Sequence, residues 1–188
     1  MRQNEHLQIL EALLFAIPEP LNQTRMNNAF EADPPKLSDL IKKLRDKYEK
    51  EKHGFEVRKV AGGYQFATRA DFSPWVRRLI QNPSQLKLSG AALESLAIVA
   101  YKQPLSRFEI ESVRGVDCSG VLKTLLSRQL LKIAGRAEGP GRPLLYGTTR
   151  EFLEHFGLDR ISDLPRLREI PELTATEEPN SDHTDASE

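Results

Sequence analysis

Few side chains in this sequence have the types and spacing that chemistry requires. The four histidines stand at 6, 53, 155 and 183, with no metal-ligand spacing among them, and Cys118 is the single cysteine. Cys118 follows Asp117 near a predicted helix start, a setting that can lower a thiol pKa. No histidine or second cysteine accompanies it, so it reads as a small residue at a helix cap. His155 shares a predicted helix with Phe152 and Phe156 and reads as a surface or partly packed residue. The stretch 139–147 is glycine-rich but lacks the Lys-Ser/Thr pair of a phosphate loop, and it falls between two predicted strands. Neither a dinucleotide fingerprint nor a nucleophile elbow is present. The pattern implies no catalytic residue, no metal and no cofactor, and points to a protein that binds rather than transforms.

The 188 residues carry 27 Lys+Arg and 27 Asp+Glu, a balance that conceals an asymmetry. Residues 1–86 hold 14 basic and 11 acidic side chains, 87–170 hold 13 and 10, and 171–188 hold none and 6. The last segment is polar, acidic and almost free of large apolar groups, which predicts a disordered acidic tail over 169–188. The remainder is only mildly basic, too little to argue nucleic-acid binding by itself. One cysteine excludes a disulfide framework, and no apolar run approaches a membrane span. With no signal-like layout at the N-terminus, a cytoplasmic protein without a membrane partner is the expectation.

An internal repeat sets the architecture. Leu10-Glu11-Ala12-Leu13 followed by Pro20-Leu21 resembles Leu93-Glu94-Ser95-Leu96 followed by Pro104-Leu105. Ser38-x-x-Ile41-Lys42-x-Leu44 resembles Ser119-x-x-Leu122-Lys123-x-Leu125, and Thr68-Arg69 recurs as Thr149-Arg150. The shared order and offset point to duplicated domains. In the first copy, Leu7, Leu10, Leu14 and Ile17 recur at helical spacing until Pro18 and Pro20 end the helix. A short helix follows Asn22, and a third carries Leu37, Leu40, Ile41, Leu44 and Tyr48 inward until Gly54 stops it. Phe55-x-Val57 and Tyr64-x-Phe66 alternate like strands about Ala61-Gly62-Gly63, and Ser73-Pro74 caps a further helix.

The second copy repeats this order. Ser89 caps a helix with Leu93, Leu96, Ala97 and Ala100 on one face, and Ser106-x-x-Glu109 is a capping box for the next, which Gly115 ends. The third places Val121, Leu122, Leu125, Leu126 and Leu130 inward. Strands at 131–133 and 144–146 flank a turn at 139–143, and Thr148-x-x-Glu151 opens a last helix that Gly157 stops. Three helices followed by a hairpin is the winged-helix plan. The predicted fold is therefore mainly α with small β-wings (α+β), as two tandem winged-helix domains over 1–82 and 89–168 with a linker at 83–88. On fold alone, a dimeric winged-helix DNA-binding transcriptional regulator and a protein-interaction module both remain open.

Longer matches favour the second. Leu93 to Pro104, Glu109 to Val116 and Gly120 to Leu126 resemble the segregation and condensation protein B family, as does Pro140-Gly141-Arg142-Pro143-Leu144-Leu145-Tyr146-Gly147-Thr148-Thr149. The first half matches more loosely, through Leu10 to Ala16 and Glu19-Pro20-Leu21. The chain departs from the family at Ile17-Pro18, where small residues are usual, and at Cys118, a variable position. The resemblance implies a non-catalytic subunit of the bacterial SMC complex that supports chromosome condensation and segregation in dividing cells. It implies a homodimer, formed chiefly through the first winged helix, holding the central region of a kleisin, segregation and condensation protein A. Through the kleisin it would meet the SMC ATPase, at the nucleoid, with chromosomal DNA contacted indirectly. On that basis Leu13, Phe15, Tyr64 and Phe66 are candidate dimer-interface residues, and Tyr101, Arg114, Arg142 and Tyr146 are candidate partner-binding residues.

Overall fold

A computed structural model describes residues 2–30, 32–80 and 88–166. The predicted tail at 169–188 and most of the predicted linker lie outside the described residues. Helix α1 (Arg2–Ala16) ends before Pro18, and Asn22 caps α2 (Gln23–Ala29) by accepting the Arg25 N–H. Helix α3 (Leu37–Lys50) turns Leu37, Leu40, Ile41, Leu44 and Tyr48 inward as its apolar spacing requires. These pack with Leu10, Leu14, Leu21, Met26 and Val57 in one buried cluster. The helix stops earlier than Gly54 suggested. Lys52 takes the left-handed backbone (φ 51°) and the His53 N–H reaches back to the Tyr48 carbonyl.

Strands β1 (Phe55–Val60) and β2 (Gly63–Thr68) pair antiparallel as the first wing. Ala61 and Gly62 both hold positive φ (48° and 75°), giving a two-residue primed turn that matches the strands' twist. Gly63 lies in the strand, where a Cβ would sit 2.8 Å from Pro20 Cβ. A 3₁₀ turn at Ala70–Phe72 leads into α4 (Ser73–Leu79). Ser73 is not the cap; it has helical backbone, and Phe72 precedes the first turn without a side-chain hydrogen bond.

The second half repeats the plan around a separate cluster. Ser89 caps α5 (Gly90–Lys102). The buried face of α5 is Ala92, Ser95, Leu96, Val99 and Ala100, one step round from the predicted stripe, leaving Leu93 46% exposed. Apolar residues surround most of this helix, so spacing alone does not choose the stripe, and Ser95 is buried with its hydroxyl satisfied, donating to the Ala91 carbonyl. Strand β3 (Leu105–Ser106) precedes α6 (Arg107–Arg114), which opens on the predicted capping box and ends at Gly115 (φ 75°). Helix α7 (Ser119–Ser127) leads into β4 (Leu131–Arg136) and β5 (Leu144–Thr148), and α8 (Arg150–Phe156) follows. The cap of α8 is Thr149 rather than Thr148, because Gln103 occupies both the N–H and the hydroxyl of Thr148 (2.7 and 2.9 Å).

The repeat is structural as well as textual. Leu21 pairs with Tyr64 antiparallel in the first module, and Leu105 pairs with Tyr146 in the second, so each Pro-Leu step adds a short edge to its wing. In the second module this completes a three-stranded sheet in the order β3-β5-β4. Both halves are thus winged helices.

Candidate partner-docking surfaces

The first wing packs against α1 incompletely and leaves an open apolar groove of about 550 Å³. Glu11, Ala12 and Phe15 from α1 form one wall, and Tyr48, Phe55 and Phe66 form the other. The aromatic wall is built edge to face: Phe55 meets Phe66 at 5.3 Å between ring centroids and Tyr48 at 5.1 Å. Phe15 is 86% exposed at the rim. Of the four residues marked for a dimer contact, Phe15 and Phe66 come together here. Leu13 packs on the buried cluster, as does Tyr64, which lies under the Arg45 guanidinium at 5.6 Å. Sequence reasoning missed Phe55 and Tyr48. The hairpin register, which pairs Val57 with Phe66, sets Phe55 diagonally beside Phe66 and was the available signal. A further run of exposed apolar residues, Phe72, Trp75, Leu79 and Ile80, follows the wing.

The second-module candidates lie on four different elements. Tyr101, near the end of α5, donates its hydroxyl to the Pro165 carbonyl at 2.7 Å. It borders a shallow groove with Ile161, Leu164 and Pro165. Arg142 projects from the loop between β4 and β5, exposed, with positive φ (39°) and no ion-pair partner among the described residues. Its backbone is fixed by Arg142 N–H to the Gly139 carbonyl (3.3 Å) and by Arg136, which donates to the Arg142 carbonyl (3.2 Å). Tyr146 is a core residue, 9% exposed. The Arg114 side chain is only 7% exposed and pairs with Glu94 at 3.3 Å, so it ties α6 to α5. Tyr101 and Arg142 are therefore the two that face outward.

The residues whose types suggested chemistry are not brought together among the described residues. Cys118 is 1% exposed, and burial followed by the nearby Glu111 carboxylate pushes its thiol pKa up, opposite to an activated nucleophile. His155 stacks edge-on to Phe156. Among the described residues no group of three or more His, Cys, Asp or Glu could hold a metal ion, and no helix is long and apolar enough to cross a membrane. The glycine-rich 139–143 stretch is a wing turn. On α7, the helix a DNA reader would insert, the Thr124 and Ser127 hydroxyls bond back to their own helix backbone, leaving Lys123 as its basic group.

The chain resembles known proteins along nearly all of its described length. The family described as segregation and condensation complex subunit ScpB matches residues 8–167. The segregation and condensation protein B of Syntrophotalea carbinolica is 49% identical over 170 residues, covering 90% of this chain and 86% of that protein. That of Brevibacillus brevis is 48% identical over 158 residues, covering 84% and 81%. Among solved structures, ScpB from Mycobacterium tuberculosis is 34% identical, covering 83% of this chain and 97% of that one, with a TM-score of 0.39.

Proposed function

The chain belongs to the segregation and condensation complex subunit ScpB family, and on that premise we propose that it is a non-catalytic homodimeric subunit that holds a kleisin of the SMC complex. A role in chromosome segregation follows from the family itself. The first module supplies the dimer contact and the second the kleisin contact. The kleisin, segregation and condensation protein A, in turn connects the dimer to the SMC ATPase, so the protein works in the cytoplasm at the nucleoid and meets DNA through its partners.

The observation that carries the dimer reading is the open aromatic groove, with Phe15 86% exposed beside Phe55 and Phe66. Apolar surface of this kind is favourable to cover, at about 25 cal/mol per Å². An isologous contact of the groove with its copy would cover both at once. For the kleisin, Tyr101 and Arg142 are the outward-facing residue types that commonly anchor interfaces. Light scattering of the full chain tests the dimer directly: the wild type gives twice 21.3 kDa, and Phe15→Glu gives a folded monomer. A wild-type monomer at high micromolar concentration overturns it.

A further inference from the structure

The tip of the first wing meets the far end of the second module. The Ala61 N–H donates to the Leu158 carbonyl at 2.8 Å, and the Gly62 N–H donates to Asp159 Oδ1 at 2.9 Å. Lys59 Nζ lies 2.8 Å from Asp159 Oδ2, and the Asp159 side chain is only 14% exposed. Both ends of this contact are stiff. On one side the positive φ values of Ala61 and Gly62 pin the hairpin turn and aim its amides outward. On the other, Gly157 (φ 66°) ends α8, the Leu158 N–H returns to the Leu153 carbonyl at 2.9 Å, and Leu158 packs on the second buried cluster. Arg160 adds a second cation, 3.3 Å from the same carboxylate oxygen.

We propose that Asp159 is a clasp between the two modules, holding the first wing's tip against the end of α8 and so setting their relative orientation. One carboxylate does three jobs there: it accepts a turn amide, neutralises Lys59 and buries its own charge against a satisfied partner. The connection does not depend on the chain segment that joins the modules. It fixes where the aromatic groove lies relative to Tyr101 and Arg142, and it covers the wing tip amides that an anionic ligand would otherwise meet. The clasp is a property of the single chain and stands independently of the kleisin reading.

Pulsed electron paramagnetic resonance on the full chain tests it, with spin labels on Lys42→Cys and Lys132→Cys. Both sites are exposed, whereas native Cys118 is buried. Diluting the labelled chain in excess unlabelled chain removes distances between protomers. The wild type should give one narrow distance distribution. Asp159→Ala should broaden it, lowering the ratio of clasped to open molecules by about tenfold. The exchange Lys59→Glu with Asp159→Lys restores the ion pair and should recover part of the narrow population, which separates the clasp from any folding defect. A broad wild-type distribution, or an Asp159→Ala distribution identical to a narrow wild type, overturns the proposal.

Discussion

The Tyr48 hydroxyl donates to Glu11 Oε1 at 3.1 Å, joining α3 to α1 in the lining of the aromatic groove. The same oxygen takes Lys47 Nζ at 3.0 Å. Burial, reinforced by the bond to Glu11, pushes the phenol pKa well above its ordinary range, so the hydroxyl stays a donor at any physiological pH. Tyr48→Phe should cost about 1 kcal/mol of stability, and Glu11→Ala about 1–3 kcal/mol, because it strands a buried hydroxyl. Glu11→Gln keeps an acceptor and should recover most of the loss. Urea unfolding midpoints measure all three, and an unchanged Glu11→Ala midpoint would remove the bond from the account.

The capping box at the start of α6 gives the second module an acid-sensitive element. Glu109 accepts the Ser106 hydroxyl and the Ser106 N–H, both at 2.7 Å, and these bonds hold its carboxyl below the ordinary 4.5. A pKa lowered by folding contributes stability that is complete above the unfolded value and lost as pH falls through the folded one. Glu109→Ala should therefore destabilise the protein at neutral pH, with the difference from wild type shrinking as pH falls below the ordinary 4.5. Ser106→Ala should cost about 1 kcal/mol. A Glu109→Ala difference that persists undiminished into that acid range would contradict the assignment.

Cys118 should behave as an inert core residue. With its side chain buried and its thiol pKa raised, native protein at neutral pH should alkylate far more slowly than the unfolded chain. Mass spectrometry after maleimide treatment, with and without denaturant, reads the difference. Equal rates would mean that the start of α7 opens readily.

Much of the fold was legible because each module repeats the same punctuation. Proline steps, Asn22, Ser89 and Ser106 as caps, and Gly115 and Gly157 as stops all have local causes that sequence displays. What failed locally was decided by distant partners. Thr148 gave up the cap of α8 because Gln103, 45 positions earlier, holds its hydroxyl and amide. The candidate sites were less legible. Phe15 and Phe66 meet because the wing folds back on α1, whereas Tyr146 and Arg114, equally suited by type to an interface, are taken up inside the second module. Residue type marks what can bind, and burial decides which residues remain free to do so.

Arg142 separates the two binding readings. Its side chain is exposed and unpaired among the described residues, so Arg142→Ala should leave folding and dimerisation unchanged. Kleisin affinity should fall by about 1–3 kcal/mol in titration calorimetry. Under a DNA-reader reading, the change would instead reduce salt-dependent binding to a short duplex. Unchanged affinity for both ligands would leave it a structural residue of the wing.

The central claim is that two copies of this chain hold one kleisin. Co-expression with the kleisin of the same organism, followed by native mass determination of the purified complex, tests it most directly. The predicted result is a complex containing two copies of the chain and a single kleisin, from which Phe15→Glu removes one copy. A chain that purifies as a monomer and leaves the kleisin unbound would contradict the account.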